Sequence, residues 1–324
     1  MHAWLCENPV GVQALTWTEL PTPEPKAGEV LIDIRAASLN FPDLLIVQNK
    51  YQFKPPVPFV PGSEYAGIVQ AVGSGVTDLE PGQPVACLSG TGGFGSHTLA
   101  PAARCLALPP GFAMVDAAAF IMTYATSHHA LADRAQLKAG ETVLVLGAAG
   151  GVGTAAIQVA KALGARVIAA ASTDEKCALC TSIGADAVIN YSRQDLRESL
   201  KPLTDGKGPD VIYDPVGGDF AEPAFRSIAW RGRYLVIGFA AGPIPALPLN
   251  LPLLKGAALV GVFWGEFSRR EPKANAVMMD ELAAWYRQGK IKPVIDRTMP
   301  MSELKAAYAH MGSRGVMGKL VMVN

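Results

Sequence analysis

The spacing of apolar and polar positions divides the chain into two regimes. From residue 1 to about 120, short runs alternate apolar and polar side chains as half-buried strands do: Glu29 to Ala37 is the clearest, followed by Ala66 to Val72 and Pro84 to Leu88. Turn-forming pairs punctuate them at Pro61-Gly62, Gly73-Ser74-Gly75, Pro81-Gly82 and Pro109-Pro110-Gly111. This pattern predicts a β-rich domain, a distorted barrel. After Val115 the period changes. Asp116 to Ala132 reads as helix, and strand and helix then alternate: strands at Thr142–Leu146, Ala165–Ala171, Ala187–Asn190, Val211–Tyr213, Arg233–Ile237 and Leu259–Phe263, with helices at Gly151–Leu163, Asp174–Ile183 and near Phe220–Ala229. Alternation of this kind predicts an α/β domain, a doubly wound parallel sheet. Residues 273–288 and 302–311 carry helical spacing, and Lys319 to Val323 closes the chain as a strand.

Composition sharpens this picture by exclusion. The 324 residues include 28 Lys+Arg and 28 Asp+Glu, so no basic excess is available to neutralise a phosphate backbone, and nucleic acid is not an expected partner. Charged residues make up 17% and hydrophobic ones 50%, which raises the question of a membrane span. Thr142 to Ala160 is 19 residues without a charge, but Gly147, Gly150, Gly151 and Gly153 interrupt it near its middle. Pro243 to Leu254 is also uncharged, and Pro243, Pro245, Pro248 and Pro252 argue against a helix there. No signal-peptide pattern opens the chain, and the expectation is a cytoplasmic protein. Five cysteines, an odd count in a long chain, predict free thiols rather than a disulfide framework. Cys177 and Cys180 have metal-like spacing but no second pair, and zinc needs four ligands.

The most informative motif is Val143-Leu-Val-Leu-Gly147-Ala-Ala-Gly150-Gly151-Val152-Gly153. A buried strand enters a glycine turn from which a helix departs. Such a unit lets backbone approach a pyrophosphate, which the helix N-terminus then holds with its unpaired N–H groups. A site for NAD places an acid about 20 residues further on to bind the ribose 2′-hydroxyl. Here Ser172 stands 19 residues after Gly153, with Lys176 four beyond it. A small hydroxyl and a cation favour a 2′-phosphate, and hence NADPH. Asp174 and Glu175 nearby weigh against it, and Ser172 as a plain helix cap is the alternative.

With these residues, the chain resembles the medium-chain dehydrogenase/reductase superfamily in its quinone oxidoreductase branch. The resemblance spans nearly the whole chain: Ala37-Ser-Leu-Asn40-Phe-Pro-Asp43, Pro61-Gly-Ser63-Glu64-Tyr-Ala-Gly-Ile-Val69, Gly147 to Gly153, Gly184-Ala-Asp186 with Asn190-Tyr191, Asp214-Pro-Val-Gly-Gly218, Gly232-Arg-Tyr, Lys255-Gly and Gly318-Lys319. It implies a GroES-like catalytic domain built from both chain ends, 1–120 and 266–324, with an NADP-binding Rossmann domain at 121–265 between them. Similar zinc alcohol dehydrogenases carry Cys where this chain has Asn40 and His where it has Ser63, and neither replacement is a good zinc ligand. The expected reaction is therefore metal-free: hydride passes from NADPH to a quinone or an α,β-unsaturated carbonyl, acceptors whose incoming charge delocalises. The resemblance places Asn40 and Thr126 by the nicotinamide, Tyr51 near the substrate, and Tyr124 as a further candidate donor. It puts Ser172, Lys176 and Tyr191 around the 2′-phosphate, and Gly150, Gly151, Val152 and Gly153 under the pyrophosphate. Gly238-Phe239 and Phe263-Trp264-Gly265 would run along the nicotinamide half, although Phe263 and Trp264 also fit as core aromatics. Lys319 would give a basic contact to the cofactor. His97, His128, His129 and His310 form no metal pattern and read as structural or surface residues. A homodimer through Leu259–Phe263 is implied. The alternatives are an enoyl-thioester reductase of the same fold and a nucleotide-binding protein without turnover.

Overall fold

Two separate hydrophobic cores organise the chain, and a computed structural model describes all residues, 1–324. The chain splits into two compact units. One comprises residues 1–122 with 295–324, and the other residues 123–294.

The first unit is strand-rich, as its period-two runs predict. Its strands are β1 (His2–Leu5), β2 (Thr16–Glu19), β3 (Glu29–Ser38), β4 (Glu64–Val72), β5 (Pro84–Leu88), β6 (His97–Pro101) and β7 (Cys105–Ala107). Its helices in the N-terminal part are α1 (Phe41–Val47) and α2 (Met114–Ala118). The ten-residue β3 is central: β4 pairs with it antiparallel, β6 joins it too, and β5 and β7 extend the sheet beyond β4.

The second unit opens with α3 (Thr126–His128), flanked by wider-wound turns at Ile121–Ala125 and His129–Arg134. It then alternates β8 (Thr142–Val145), α4 (Gly151–Ala162), β9 (Arg166–Ala171), α5 (Asp174–Ser182), β10 (Ala187–Asn190), α6 (Leu196–Leu203), β11 (Val211–Asp214), α7 (Ala221–Arg226), β12 (Arg233–Val236), α8 (Asn250–Lys255) and β13 (Ala258–Gly261). All six strands are parallel in the order β10-β9-β8-β11-β12-β13, which is doubly wound with its reversal between β8 and β11. Helices α9 (Trp264–Arg270) and α10 (Pro272–Arg287) follow. The chain then returns to the first unit as β14 (Ile295–Pro300), α11 (Leu304–Gly312) and β15 (Lys319–Val323). There β15 lies antiparallel to β3 with Val321 opposite Ser38, and the Trp4 indole donates to the carbonyl of Met301 at 2.8 Å.

Three expectations need correction. The tail of the first unit begins at 295 rather than 266, because α9 and α10 belong to the second unit. Leu282 is fully buried there, and Trp264 donates to Asn275 Oδ1 at 2.9 Å. The proline-rich run holds a short helix after all. Pro252 sits in the first turn of α8, where its missing N–H has no helical partner to lose. Helix α6 is absent from the sequence reading, although Asp195 caps it by accepting from the Glu198 N–H at 2.9 Å and Leu196 and Leu200 form a buried i,i+4 pair. No helix is long and apolar enough to cross a membrane.

Candidate active site

In the first unit, a buried polar cluster forms where β3 ends and α1 begins. Asn40 is the N-cap of α1, and Asp43, three residues on, accepts its backbone N–H at 2.8 Å. The other Asp43 oxygen accepts the Ser63 N–H at 3.0 Å. Glu64, at the start of β4, has 0% exposure and is well satisfied. Its Oε2 accepts from Ser38 Oγ and Asn40 Nδ2, both at 2.9 Å, and its Oε1 accepts the Met122 N–H at 2.9 Å. The β3–β15 register brings Lys319 beside Asn40. Its ammonium donates to the Leu39 carbonyl at 3.0 Å and to Asn40 Oδ1, and lies 3.6 Å from Glu64 Oε2.

The electrostatics follow from this enclosure. Burial holds Lys319 below the ordinary ammonium range, against the pull of Glu64 and Asp43. Burial pushes Asp43 up to about 6, outweighing the bonds from Asn40 and Ser63 and the attraction of Lys319. Tyr51 packs half-buried against the same core, and burial together with the Asp43 charge raises its phenol.

Lys319 is 4% exposed, with its donors turned to the chain's own oxygens, so it balances Glu64 and orients the Asn40 amide. Asp43 and Glu64, which lie inside quoted motifs but carry no role in the sequence reading, turn out to hold the cluster together. The spacing Asn40-x-x-Asp43, a capping-box signature, was the available signal.

In the second unit the glycine turn lies at the carboxyl end of β8, beside the strand reversal. Gly147 has φ +56°, and a Cβ there would come 2.7 Å from Val216 Cγ2. At Gly153 a Cβ would meet the Gly147 carbonyl oxygen at 2.4 Å, so only glycine lets α4 pack this close to the turn. Gly150 is the N-cap, and the first helical bond runs from Thr154 N–H to Gly150 O at 2.8 Å. The amides of Gly151, Val152 and Gly153 therefore precede any helical acceptor and carry the positive end of the helix dipole. This cradle fits a pyrophosphate. Opposite, Asp214 pins the turn after β11 by accepting the Val216 and Gly217 amides at 2.8 and 2.9 Å.

At the end of β9, Lys176 Nζ lies 3.5 Å from Ser172 Oγ. Thr173, not Ser172, caps α5 by accepting the Lys176 N–H at 3.2 Å, which removes the cap reading of Ser172. Tyr191 follows β10, with its ring 4.5 Å from Phe220. Asp174, the acid that weighed against a phosphate, is held by Asn190 Nδ2 at 2.6 Å and by the Arg193 guanidinium at 2.5 Å. Arg193 thus adds a cation that the sequence reading missed.

The remaining candidates divide. Thr126 is half-buried at the start of α3, Phe239 packs on Gly217, and Phe263 and Gly265 are exposed. Trp264 is buried, and its indole is engaged by Asn275. Tyr124 is 1% exposed and donates to Gln158 Oε1 at 2.9 Å, while Gln158 also accepts the Lys292 N–H at 2.7 Å. Both aromatics have their polar atoms engaged within this unit. His128 bonds Glu281 at 3.0 Å, and no group of three or more His, Cys, Asp or Glu side chains is arranged to hold a metal.

Comparison with known proteins agrees with this architecture. Residues 26–110 match the family described as alcohol dehydrogenase GroES-like domain, and residues 151–283 match that described as zinc-binding dehydrogenase. The chain is 35% identical over 324 residues to the quinone oxidoreductase-like protein 2 homolog of Nematostella vectensis, covering 99% of this chain and 88% of that protein. It is 35% identical over 319 residues to a quinone oxidoreductase of Pseudomonas aeruginosa, covering 97% and 96% of the two chains. The Escherichia coli quinone oxidoreductase, solved with NADPH, superposes with a TM-score of 0.93 at 29% identity, with both chains covered fully. The zinc named in one matched family does not carry over, since Asn40 and Ser63 occupy the ligand positions. The chain belongs to the zinc-independent, quinone-oxidoreductase-like branch of the medium-chain dehydrogenase/reductase superfamily.

Proposed function

We propose that this chain is an NADPH-dependent oxidoreductase that reduces a quinone or an α,β-unsaturated carbonyl. The observation that carries this reading is the pairing of the Gly147–Gly153 cradle with Ser172 and Lys176 at the end of the next strand. The amides of Gly151 to Gly153 bind the pyrophosphate. Lys176, Ser172 and Tyr191 hold the 2′-phosphate, and Arg193 quiets the nearby Asp174. When bound, the cofactor supplies the hydride. On the substrate side, Lys319 and Glu64 fix the Asn40 amide, and Tyr51 is the candidate hydrogen-bond donor to the acceptor oxygen. With no Lewis acid built from Asn40 and Ser63, hydride addition is favoured for acceptors that spread the new charge into a phenolate or enolate.

We also assign a homodimer. The sheet of the second unit ends on β13, whose outer edge is unpaired, and the exposed Leu259, Leu253, Leu254 and Trp230 gather near it. A monomer in sedimentation would reject this. A cytoplasmic setting suits five free cysteines.

The test of activity is NADPH oxidation followed by absorbance with a quinone, an enone and an enoyl-CoA in turn. Turnover with the first two supports the proposal. Preference for the thioester would redirect it to an enoyl reductase, and binding without turnover on all three would refute it.

A further inference from the structure

The strand pair β5 and β7 holds two cysteines directly opposite each other, Cys87 and Cys105. The ladder settles which kind of pair they form. Leu108 N–H donates to Pro84 O at 2.9 Å, so 84 and 108 are a hydrogen-bonded pair. Pairs alternate along an antiparallel ladder, which makes 86 with 106 hydrogen-bonded and 87 with 105 not. At such non-bonded positions the Cα atoms stand about 4.5 Å apart and the side chains approach most closely. That separation falls within the roughly 4.4–6.8 Å range of disulfides. The Cys105 thiol donates to the Pro101 carbonyl at 3.6 Å.

The two sulfurs differ in access. Cys87 is fully buried beside Tyr65, its neighbour on β4, whereas Cys105 lies half-exposed on the edge strand. An accessible thiol next to a buried partner is the arrangement of a reactive and a resolving cysteine. The other cysteines lack it: Cys6 bridges to Phe59, and Cys177 and Cys180 lie one turn apart on α5.

The geometry points to Cys87 and Cys105 as a reversible dithiol–disulfide site, oxidised by a hydroperoxide. The Cys105 thiol gives its proton to water, and the Cys105 sulfur attacks the outer peroxide oxygen. The O–O bond breaks, the alkoxide or hydroxide leaves and takes a proton, and Cys105 becomes a sulfenic acid. The Cys87 sulfur then attacks the Cys105 sulfur; the S–S bond forms, the S–O bond breaks and water departs. In sum, two thiols lose two electrons and two protons, and the hydroperoxide yields an alcohol, or water, plus water. A thiol reductant reverses the bond.

The test treats the full chain with hydrogen peroxide, alkylates it after unfolding, and maps peptides without reduction. The expected result is one cross-linked Cys87–Cys105 peptide pair, lighter by two hydrogens and restored by dithiothreitol, with Cys6, Cys177 and Cys180 still alkylated. Cys87→Ser and Cys105→Ser each abolish the cross-link. Full alkylation of Cys87 and Cys105 after peroxide would overturn the proposal, as would over-oxidation of Cys105 without a bridge. The map of the unmutated chain is decisive even where a serine variant folds poorly.

Discussion

The polar cluster of the first unit and the glycine turn of the second treat their hydrogen-bonding groups in opposite ways. Around Glu64 the chain closes its own accounts: four groups converge on one carboxylate, and the one ammonium sits among the chain's own oxygens. At the start of α4 three amides are left without an internal acceptor, and glycine lets the helix pack closely on the turn. The first arrangement rigidifies an amide; the second waits for an anion. Satisfaction from within marks a positioning element, and deliberate incompleteness marks a binding one.

That contrast can be broken most directly at Glu64. Glu64→Ala leaves Lys319 buried without its counter-charge and should lower folding stability by about 3–5 kcal/mol in denaturant titration. A loss under about 1 kcal/mol would mean that the cluster is not a closed network. Asp43 tests the same network through pH. Its folded pKa of about 6 lies above the ordinary 3.8, so its stabilising protonation is fully present below about pH 4 and lost as pH rises through about 6. The change is on the order of 3 kcal/mol, and Asp43→Asn should flatten that slope in melting temperature against pH. An unchanged slope would assign the titration elsewhere.

On the open side, Gly153→Ala should weaken NADPH about 100-fold by calorimetry, since the new Cβ collides with backbone 2.4 Å away and the turn must move. Near-native affinity would show that close approach is not required. Lys176→Ala should cost about tenfold for NADPH and little for NADH; equal losses would remove the 2′-phosphate role. Smallest of all, Tyr124→Phe deletes one buried hydrogen bond to Gln158 and should cost about 1 kcal/mol of stability with turnover retained. Lost turnover in a folded variant would assign Tyr124 to the chemistry.

Legibility in the sequence follows the same division. The β8–α4 turn was readable because its function rests on local backbone: a buried strand, glycines and a helix within a dozen or so residues. The parallel sheet was readable from alternation of periods. Lys319 was not, because its environment depends on β15 pairing with β3, and a lysine's letter does not say whether it faces water or a carboxylate. The partners of Tyr124 and Trp264 were hidden for a related reason, their polar atoms being matched by Gln158 and Asn275 from distant or later positions. Arg193 was missed because its partner Asp174 precedes it by 19 residues and a strand intervenes. The tail boundary failed because α10 carries an amphipathic pattern that fits either unit.

Lys319 also sets an order of events in the cell. Asn40 leaves the ribosome 279 residues ahead of the ammonium that holds its side chain. Until then Glu64 is a carboxylate with its hydrogen bonds available and its counter-charge not yet made, in a place that must exclude water. The first unit can gather its sheet early, but this corner has to stay hydrated and unsealed until Lys319 emerges. Nascent chains stalled before residue 319 should therefore be protease-sensitive around α1, and the Asn40 amide becomes fixed only once Lys319 has been made.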